Sequence, residues 1–282
     1  MRRLASLLLA SLGLAAQAQS PYWYLQLEND AGFDTDRWYS SGIRLARVSS
    51  HGGYDLEWAL TQEIYTPEAK RFTLGTIDRG PTALILLSLA RHDPAPLCLQ
   101  TVELALGVRG PSAGGQETTD FVHRVISARE IDWTYQEPDQ LAARLSFTRS
   151  HRIEEAAIHY GAQLGTDRSF AHAGAEWRFG ADLASSVLRF APTPPPRAGE
   201  ARWGGFVGAS VRAVARDDLM GRSYDQALPA PEPERVVGRA AAGLGMVRSW
   251  GSVMFTLVFD TRDFEGQRVP HRFGSLAVHV DF

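Results

Sequence analysis

The chain has 282 residues, 44% hydrophobic and 10% aromatic, with 29 Lys+Arg against 32 Asp+Glu for a formal net charge of -3. That balance excludes a disordered chain and a basic nucleic-acid-binding protein, so no nucleic-acid partner is expected. The single cysteine, Cys98, excludes an intrachain disulfide framework, and stability must come from elsewhere.

The opening MRRLASLLLASLGLAAQAQS places two arginines before an apolar run from Leu4 to Ala16 and ends in the small-residue pattern Ala16-Gln17-Ala18. This reads as a secretory signal peptide over 1–18, cut before Gln19, with 19–282 forming a single domain. The longest later apolar stretch, Ala83 to Ala90, is broken by Ser88 and falls far short of the roughly 20 residues a spanning helix needs. From Pro21 the pattern has period two: Tyr22, Tyr24 and Leu25-Gln26-Leu27, then Ile43, Leu45 and Arg47 against Arg44, Ala46 and Val48. Further extended segments fall at about 53–63, 81–92, 97–108, 139–149, 153–165, 171–180, 202–216, 234–246, 250–261 and 271–282. Twelve strands of this length match an even-numbered closed barrel of tilted membrane-spanning strands.

In Thr101-Val102-Glu103-Leu104-Ala105-Leu106-Gly107-Val108, the residues Val102, Leu104, Leu106 and Val108 form an apolar face to meet lipid while the reverse lines a polar lumen. A half-buried sandwich strand gives the same alternation. The ending FGSLAVHVDF puts Leu276, Val278, Val280 and Phe282 on one face and stops on the aromatic itself. Termini usually fray into solvent, so full amphipathic amplitude at the last residue resembles the signal read by the barrel assembly machinery. With strand one rising from the periplasm, the long polar connections 30–39, 64–80, 109–138 and 217–233 lie outside, and Ser50-His51-Gly52 and Arg149-Ser150-His151 are periplasmic turns. The exception is 181–201, which carries Pro192, Pro194, Pro195 and Pro196; either the prolines form a rigid coil or the register slips there. The expected fold is all-β: a twelve-stranded antiparallel outer-membrane β-barrel with long extracellular loops.

Three polar clusters share the outer end. In Glu28-Asn29-Asp30-Ala31-Gly32-Phe33-Asp34-Thr35-Asp36-Arg37 a strand runs into a dense set of carboxylate and amide oxygens, which suits a hard cation such as calcium, although a loop held by Asx turns is the plainer reading. The second is Tyr65-Thr66-Pro67-Glu68-Ala69-Lys70-Arg71. The third runs from Gly110-Pro111-Ser112 and Gln116 through a short helix over Glu117 to Ser127, with His123 in its middle, to Arg129-Glu130-Ile131-Asp132-Trp133-Thr134-Tyr135-Gln136. Histidine is the residue type whose intrinsic chemistry suits a general base, which makes His123 the candidate; a structural histidine is the plainer reading. No Gly-x-Ser-x-Gly elbow and no His-Glu-x-x-His zinc motif occur. Cys98 reads as packing, and His92, His151, His159, His172, His271 and His279 show no ligand spacing.

Glu28-Asn29-Asp30 followed by Thr35-Asp36-Arg37-Trp38-Tyr39-Ser40-Ser41-Gly42-Ile43-Arg44-Leu45 resembles the opening signature of the LpxR family of outer-membrane lipid A deacylases. Tyr65-Thr66-Pro67, then Gly110-Pro111-Ser112 with Gln116 and His123, then Trp133 with Gln136, and finally Thr261-Arg262-Asp263-Phe264-Glu265-Gly266-Gln267 before His271-Arg272-Phe273-Gly274 follow in the same order. The resemblance implies an enzyme in the outer membrane of a Gram-negative bacterium, and a monomer is expected. It implies a site open to the outer leaflet and calcium-dependent hydrolysis of the ester holding the 3'-acyloxyacyl group of lipid A. On it, His123 activates water, and Asn29 and Asp30 are the essential amide–acid pair, with Asp30 near calcium; on residue chemistry alone, Glu130 is a further candidate calcium ligand, and Lys70, Arg71, Arg124 and Arg129 are candidates to pair with lipid A phosphates. Where the family has a Thr-Asn-Gly-like turn this chain has Ser40-Ser41-Gly42, which makes Ser40 and Ser41 substrate-facing candidates. The short fourth external connection is a further departure and bears on the acyl groove. The alternatives are an outer-membrane phospholipase, a non-enzymatic porin-like barrel and a soluble periplasmic β protein.

Overall fold

A computed structural model describes residues 21–30, 37–68, 75, 77–128, 130–181, 186–188 and 201–281. Its strands are β1 (Tyr22–Asn29), β2 (Trp38–Ser50), β3 (Asp55–Thr66), β4 (Thr82–Ala95), β5 (Cys98–Arg109), β6 (Gln140–Ile153), β7 (Ala156–Gly165), β8 (Arg168–Gly180), β9 (Arg202–Asp217), β10 (Val236–Arg248), β11 (Gly251–Asp260) and β12 (His271–Asp281). Each pairs antiparallel with its sequence neighbours, and β1 pairs with β12 to close the barrel. Closure leaves no open edge, which is how strands satisfy their backbone groups in lipid. The expected strands are thus present, with local differences. β7 begins at Ala156 because Glu154 takes a left-handed turn (φ 55), and β8 begins at Arg168, shrinking the fourth external connection to Thr166-Asp167.

The two faces separate as the alternation requires. Thr101 and Ala105 are buried inward, while Val102, Leu104 and Leu106 are 39–52% exposed outward. Strand pairing lines up Leu25, Leu45, Leu60, Leu87 and Leu106 as one continuous outer row across β1 to β5. Five of the seven tryptophans, Trp23, Trp58, Trp177, Trp203 and Trp250, are exposed near the end that carries the short turns. They form the aromatic girdle of one membrane interface, and the long connections rise from the opposite, extracellular end.

Charges fill the lumen. Arg44 bridges Glu57 (2.5 Å) and Glu103 (3.0 Å), Arg144 reaches Glu63 (2.8 Å), and His92 and His159 sit against Glu57 and Glu176. A cavity of about 140 Å³ remains, bordered by Arg44, Arg144, Arg212 and Arg239, each already paired to a carboxylate. The long periplasmic connection turns back into this space: Val187 is fully buried, and Glu176 accepts from the Val187 amide (2.8 Å) and the Ser186 hydroxyl (3.0 Å). β8 and β9 keep their pairing to Gly180–Gly204, so the register does not slip there; Pro192 to Pro196 lie outside the described residues. Cys98 opens β5 half-buried, its sulfur accepting from Arg149 Nε, a more polar setting than apolar packing.

Candidate active site

Residues that face lipid elsewhere on the wall become polar at its extracellular rim. The outward positions of β1 run Trp23, Leu25, Leu27 and then Asn29, since Gln26 and Glu28 are buried in the lumen. Asn29 pairs with Ser41, Ser41 with Ile64, and Ile64 with Ala83, so four strands present one outer row. The row beneath it reads Leu27, Ile43, Gln62, Ile85, Val108 and Leu141, apolar except for Gln62.

Helix α1 (Gly115–Ile126) lies on this patch of wall. Gly115 meets Ala83 and Trp133 so closely that a Cβ there would stand 2.2 Å from the Ala83 Cβ. Gln62 donates to the Ala113 carbonyl (2.7 Å) and accepts from the Thr118 hydroxyl (3.2 Å). Outward Ile64 and Ala83 form an apolar cluster with Ala113, Ile131 and Trp133. The helix buries Gly115, Thr119 and His123, the i, i+4, i+8 face. Starting over β4 at Ala83 and passing β3 at Gln62, it carries His123 about 12 Å beyond Gly115 at 1.5 Å per residue. Three strand spacings, about 14 Å, separate Ala83 from Asn29 along the row. His123 therefore shares the wall-facing side of the helix with Gly115 and Thr119.

The first strand ends in a locked corner. Asn29 Nδ2 donates to the Ser40 carbonyl (3.1 Å), as does the Asp30 amide (3.3 Å), and fully buried Asp30 accepts the Arg37 amide on Oδ2 (2.7 Å). Opposite, the β2–β3 register shifts between Tyr39 and Ser41, making Ser40 the extra residue of a bulge; its hydroxyl bonds that of Thr66. Trp38 stands at φ 63, a left-handed conformation uncommon for a bulky residue. Its side chain is held against Phe264 and Met220, and its Nε1 donates to Asp78 (3.2 Å). Bulges re-aim side chains at barrel rims, and this one puts two serines beside the amide–acid pair. Arg37 pairs with Glu68 (2.6 Å) and lies over the Trp38 ring. Burial pushes the Asp78 carboxyl up to about 6 despite hydrogen bonds from the Glu68 and Arg79 amides.

Strand pairing thus brings Asn29, Asp30, Ser40 and Ser41 together, and α1 sets His123 on the same wall. Arg124 is exposed, its Nε donating to the Asp120 carbonyl, and Glu130 is exposed beyond the end of α1. Lys70, Arg71 and Arg129 lie outside the described residues, as do Asp34 and Asp36. Asp30 offers the hard, buried oxygen that calcium takes, and backbone carbonyls, amide oxygens and water are ordinary further ligands. Among the described residues no three His, Cys, Asp or Glu side chains converge, so a calcium ion here would lean on that neutral oxygen set. Sequence reasoning missed Gln62 and Gly115. The signal for Gln62 was an amide at an outward position, two residues after Leu60; Gly115 gave none.

A family model described as "Outer membrane protein LpxR" matches residues 4–282. Among solved structures, LpxR from Salmonella typhimurium aligns over 93% of this chain and 100% of its own, at 19% identity and TM-score 0.76. The translocator domain of the autotransporter NalP from Neisseria meningitidis aligns over 100% of this chain and 95% of its own, at 11% identity and TM-score 0.45. The beta domain of the Bordetella autotransporter BrkA aligns over 93% and 99%, at 10% and 0.46. No curated protein matches.

Proposed function

We propose, from the premise that this chain belongs to the LpxR family and is an outer-membrane lipid A-modifying enzyme, that it hydrolyses the ester linking the 3'-acyloxyacyl group to lipid A. What supports this reading is a histidine-bearing helix on the lipid-facing side of the barrel wall over β3 and β4, with an amide and two serines at the extracellular rim of the neighbouring β1 and β2. A water-soluble substrate would be served from the lumen, whereas a lipid with its ester near the outer-leaflet surface meets this wall directly.

In the proposed mechanism His123 takes a proton from water as the oxygen attacks the ester carbonyl, then returns a proton to the sugar oxygen as the carbon–oxygen bond breaks. The products are a free sugar hydroxyl and a fatty acid, with no serine nucleophile. Asn29, fixed by its bond to the Ser40 carbonyl, orients the reacting ester, and Ser40 and Ser41 flank it. Asp30 would hold calcium, which when bound supplies positive charge where the carbonyl oxygen becomes negative. Arg124, with Lys70, Arg71 and Arg129, would meet the phosphates, and Glu130 is the further calcium candidate. Lipid A mass spectra from cells expressing the wild type should lose the 3'-linked group, and His123→Asn or chelator should abolish that loss. An unchanged spectrum with calcium present refutes the reading, and fatty-acid release from glycerophospholipid alone selects the phospholipase.

A further inference from the structure

We propose that β12 supplies the second half of the substrate site: Arg272 binds the phosphate on the sugar carbon next to the reacting ester, and the lipid's acyl chains run over Gly274. The proposal rests on the reading of Asn29 as part of the reacting centre and extends it to how the lipid is held. Pairing places this surface. Asn29 pairs with Gly274 and Gly274 with Leu257, so the outer row that runs from Asn29 through Ser41 to Ala83 continues the other way onto β12 and β11. On the Ala83 side the wall is covered, because Gly115 meets Ala83 and Thr118 bonds Gln62. On the β12 side it is open: Phe255, Phe259 and Leu276 are 49%, 45% and 38% exposed, and Arg272 is exposed. A lipid bound at Asn29 has that side for its body.

The surface matches a phosphorylated acyl lipid. Phe273, Ser275 and Ala277 are buried, which sends Arg272, Gly274, Leu276 and Val278 outward on the alternate face. This column is apolar up to Gly274 and ends on a guanidinium. Gly274 adds no side chain to the row, so the wall is lowest between Asn29 and Leu257, with Leu276 beneath and Phe259, the partner of Arg272, above. The Arg272 Cα stands two residues beyond Gly274, about 8 Å from that of Asn29. A phosphate on the carbon adjacent to the acylated one falls within reach of an arginine rooted there. Long cationic side chains above an apolar surface hold their charge at headgroup level, and arginine meets phosphate through paired hydrogen bonds. The surrounding charges do not oppose an anion. Between β11 and β12, exposed Arg262 and Arg268 stand against Glu265, Glu234 lies 3.9 Å from Arg262, and Asp263 pairs with Arg212.

The test is equilibrium binding of lipid A, with and without its 4'-phosphate, to the detergent-solubilised full chain in mixed micelles, in a His123→Asn background so that neither lipid is consumed. With Arg272 present the phosphorylated lipid should bind about tenfold or more tightly, the worth of a charge-assisted pair. Arg272→Gln should lose that preference and Arg272→Lys should keep part of it. A preference that survives in Arg272→Gln overturns the proposal, as does a parent chain that does not distinguish the two lipids. Equal weakening toward both lipids in Arg272→Gln also overturns it, since that marks a general contact with membrane lipid. Acyl release is scored separately in the chain with His123 intact. A preference abolished by Arg272→Gln in a protein that cleaves neither lipid would sink the hydrolase reading alone. Release of the 3'-linked acid by a chain whose lipid preference ignores Arg272→Gln would sink this one alone.

Discussion

Gly115→Ala is the smallest change that tests whether the wall contact sets the chemistry. The added Cβ would lie 2.2 Å from the Ala83 Cβ and 2.9 Å from Trp133 Cη2, where carbon atoms ordinarily rest about 3.5–4.0 Å apart. Ala83 cannot rotate away, because its Cβ is fixed by a strand paired on both sides. The helix start must lift by about 1.5 Å, at a cost of about 1–3 kcal/mol for overpacking. Intrinsic propensity runs the other way, since alanine favours helix over glycine by about 1 kcal/mol, so any loss reports position rather than helix content. A shift of about 1 Å at a catalytic group costs on the order of 100-fold in rate. The expected outcome is therefore a fall of about two orders of magnitude in acyl release from lipid A, followed by mass spectrometry, with the barrel's heat-modifiable gel migration unchanged. Ala83→Gly added to the variant should restore part of the rate by removing the nearer carbon. Full activity in Gly115→Ala would refute the claim that helix docking positions His123.

Gln62→Leu completes the apolar outer row yet removes both hydrogen bonds to the helix segment, each worth about 1 kcal/mol; activity should drop about tenfold while thermal stability of the barrel holds, and an unchanged rate would count against the wall contact. If Asp30 holds calcium as proposed, terbium added in its place should show luminescence sensitised by nearby Trp38, lost in Asp30→Asn and in Trp38→Phe; signal persisting in Asp30→Asn removes Asp30 from the proposed site. Asp78 gives a pH prediction. Its folded pKa is raised from 3.8 to about 6. Its stabilisation is therefore fully present below about pH 4 and lost as pH rises through 6, on the order of 3 kcal/mol between pH 4 and 8. The protonated-carboxyl infrared band should titrate with a midpoint near 6 in the wild type and lack this component in Asp78→Asn, and a midpoint near 4 would refute the assigned burial cause.

The barrel was legible because its signals are local. Period-two alternation such as Thr101 to Val108 names its own lipid face, and the turn at His51 and the terminal β12 pattern needed no long-range knowledge. Asn29, Asp30 and Ser40-Ser41 were legible for the same reason: they flank one hairpin, so proximity in sequence became proximity in space. Two things were not. The bulge at Ser40 depends on how β2 meets β3, and the docking of α1 depends on which outward residues of β3 and β4 lack lipid. Neither pairing register nor the absence of a Cβ at Gly115 announces itself in a one-dimensional pattern. The 181–201 connection failed differently. Its prolines drew the eye, while the residue that anchors it in the lumen, Val187, is an unremarked valine whose amide finds Glu176.

The charged lumen is the other half of the wall site. A single strand thickness separates Asn29 outside from Glu28 inside, and Glu28 accepts from the Tyr39 hydroxyl (2.6 Å) and from Gln26 (2.7 Å). Gln26 in turn donates to Ser275 of β12 (3.0 Å), and His271 of the same strand donates to the Tyr39 carbonyl (3.0 Å), next to the bulged Ser40. These bonds tie β12, β1 and β2 together from the inside at the height where the outside presents Asn29, Ser40 and Ser41. Buried ionic and polar groups contribute little net stability against an apolar filling, but broken singly they are costly, so they hold one geometry rather than a family of them. A wall lined inside with aliphatic side chains would close a barrel equally well. It would leave the bulge at Ser40, with the left-handed Trp38 behind it, free to relax, and with it the carbonyl on which both Asn29 and the Asp30 amide depend.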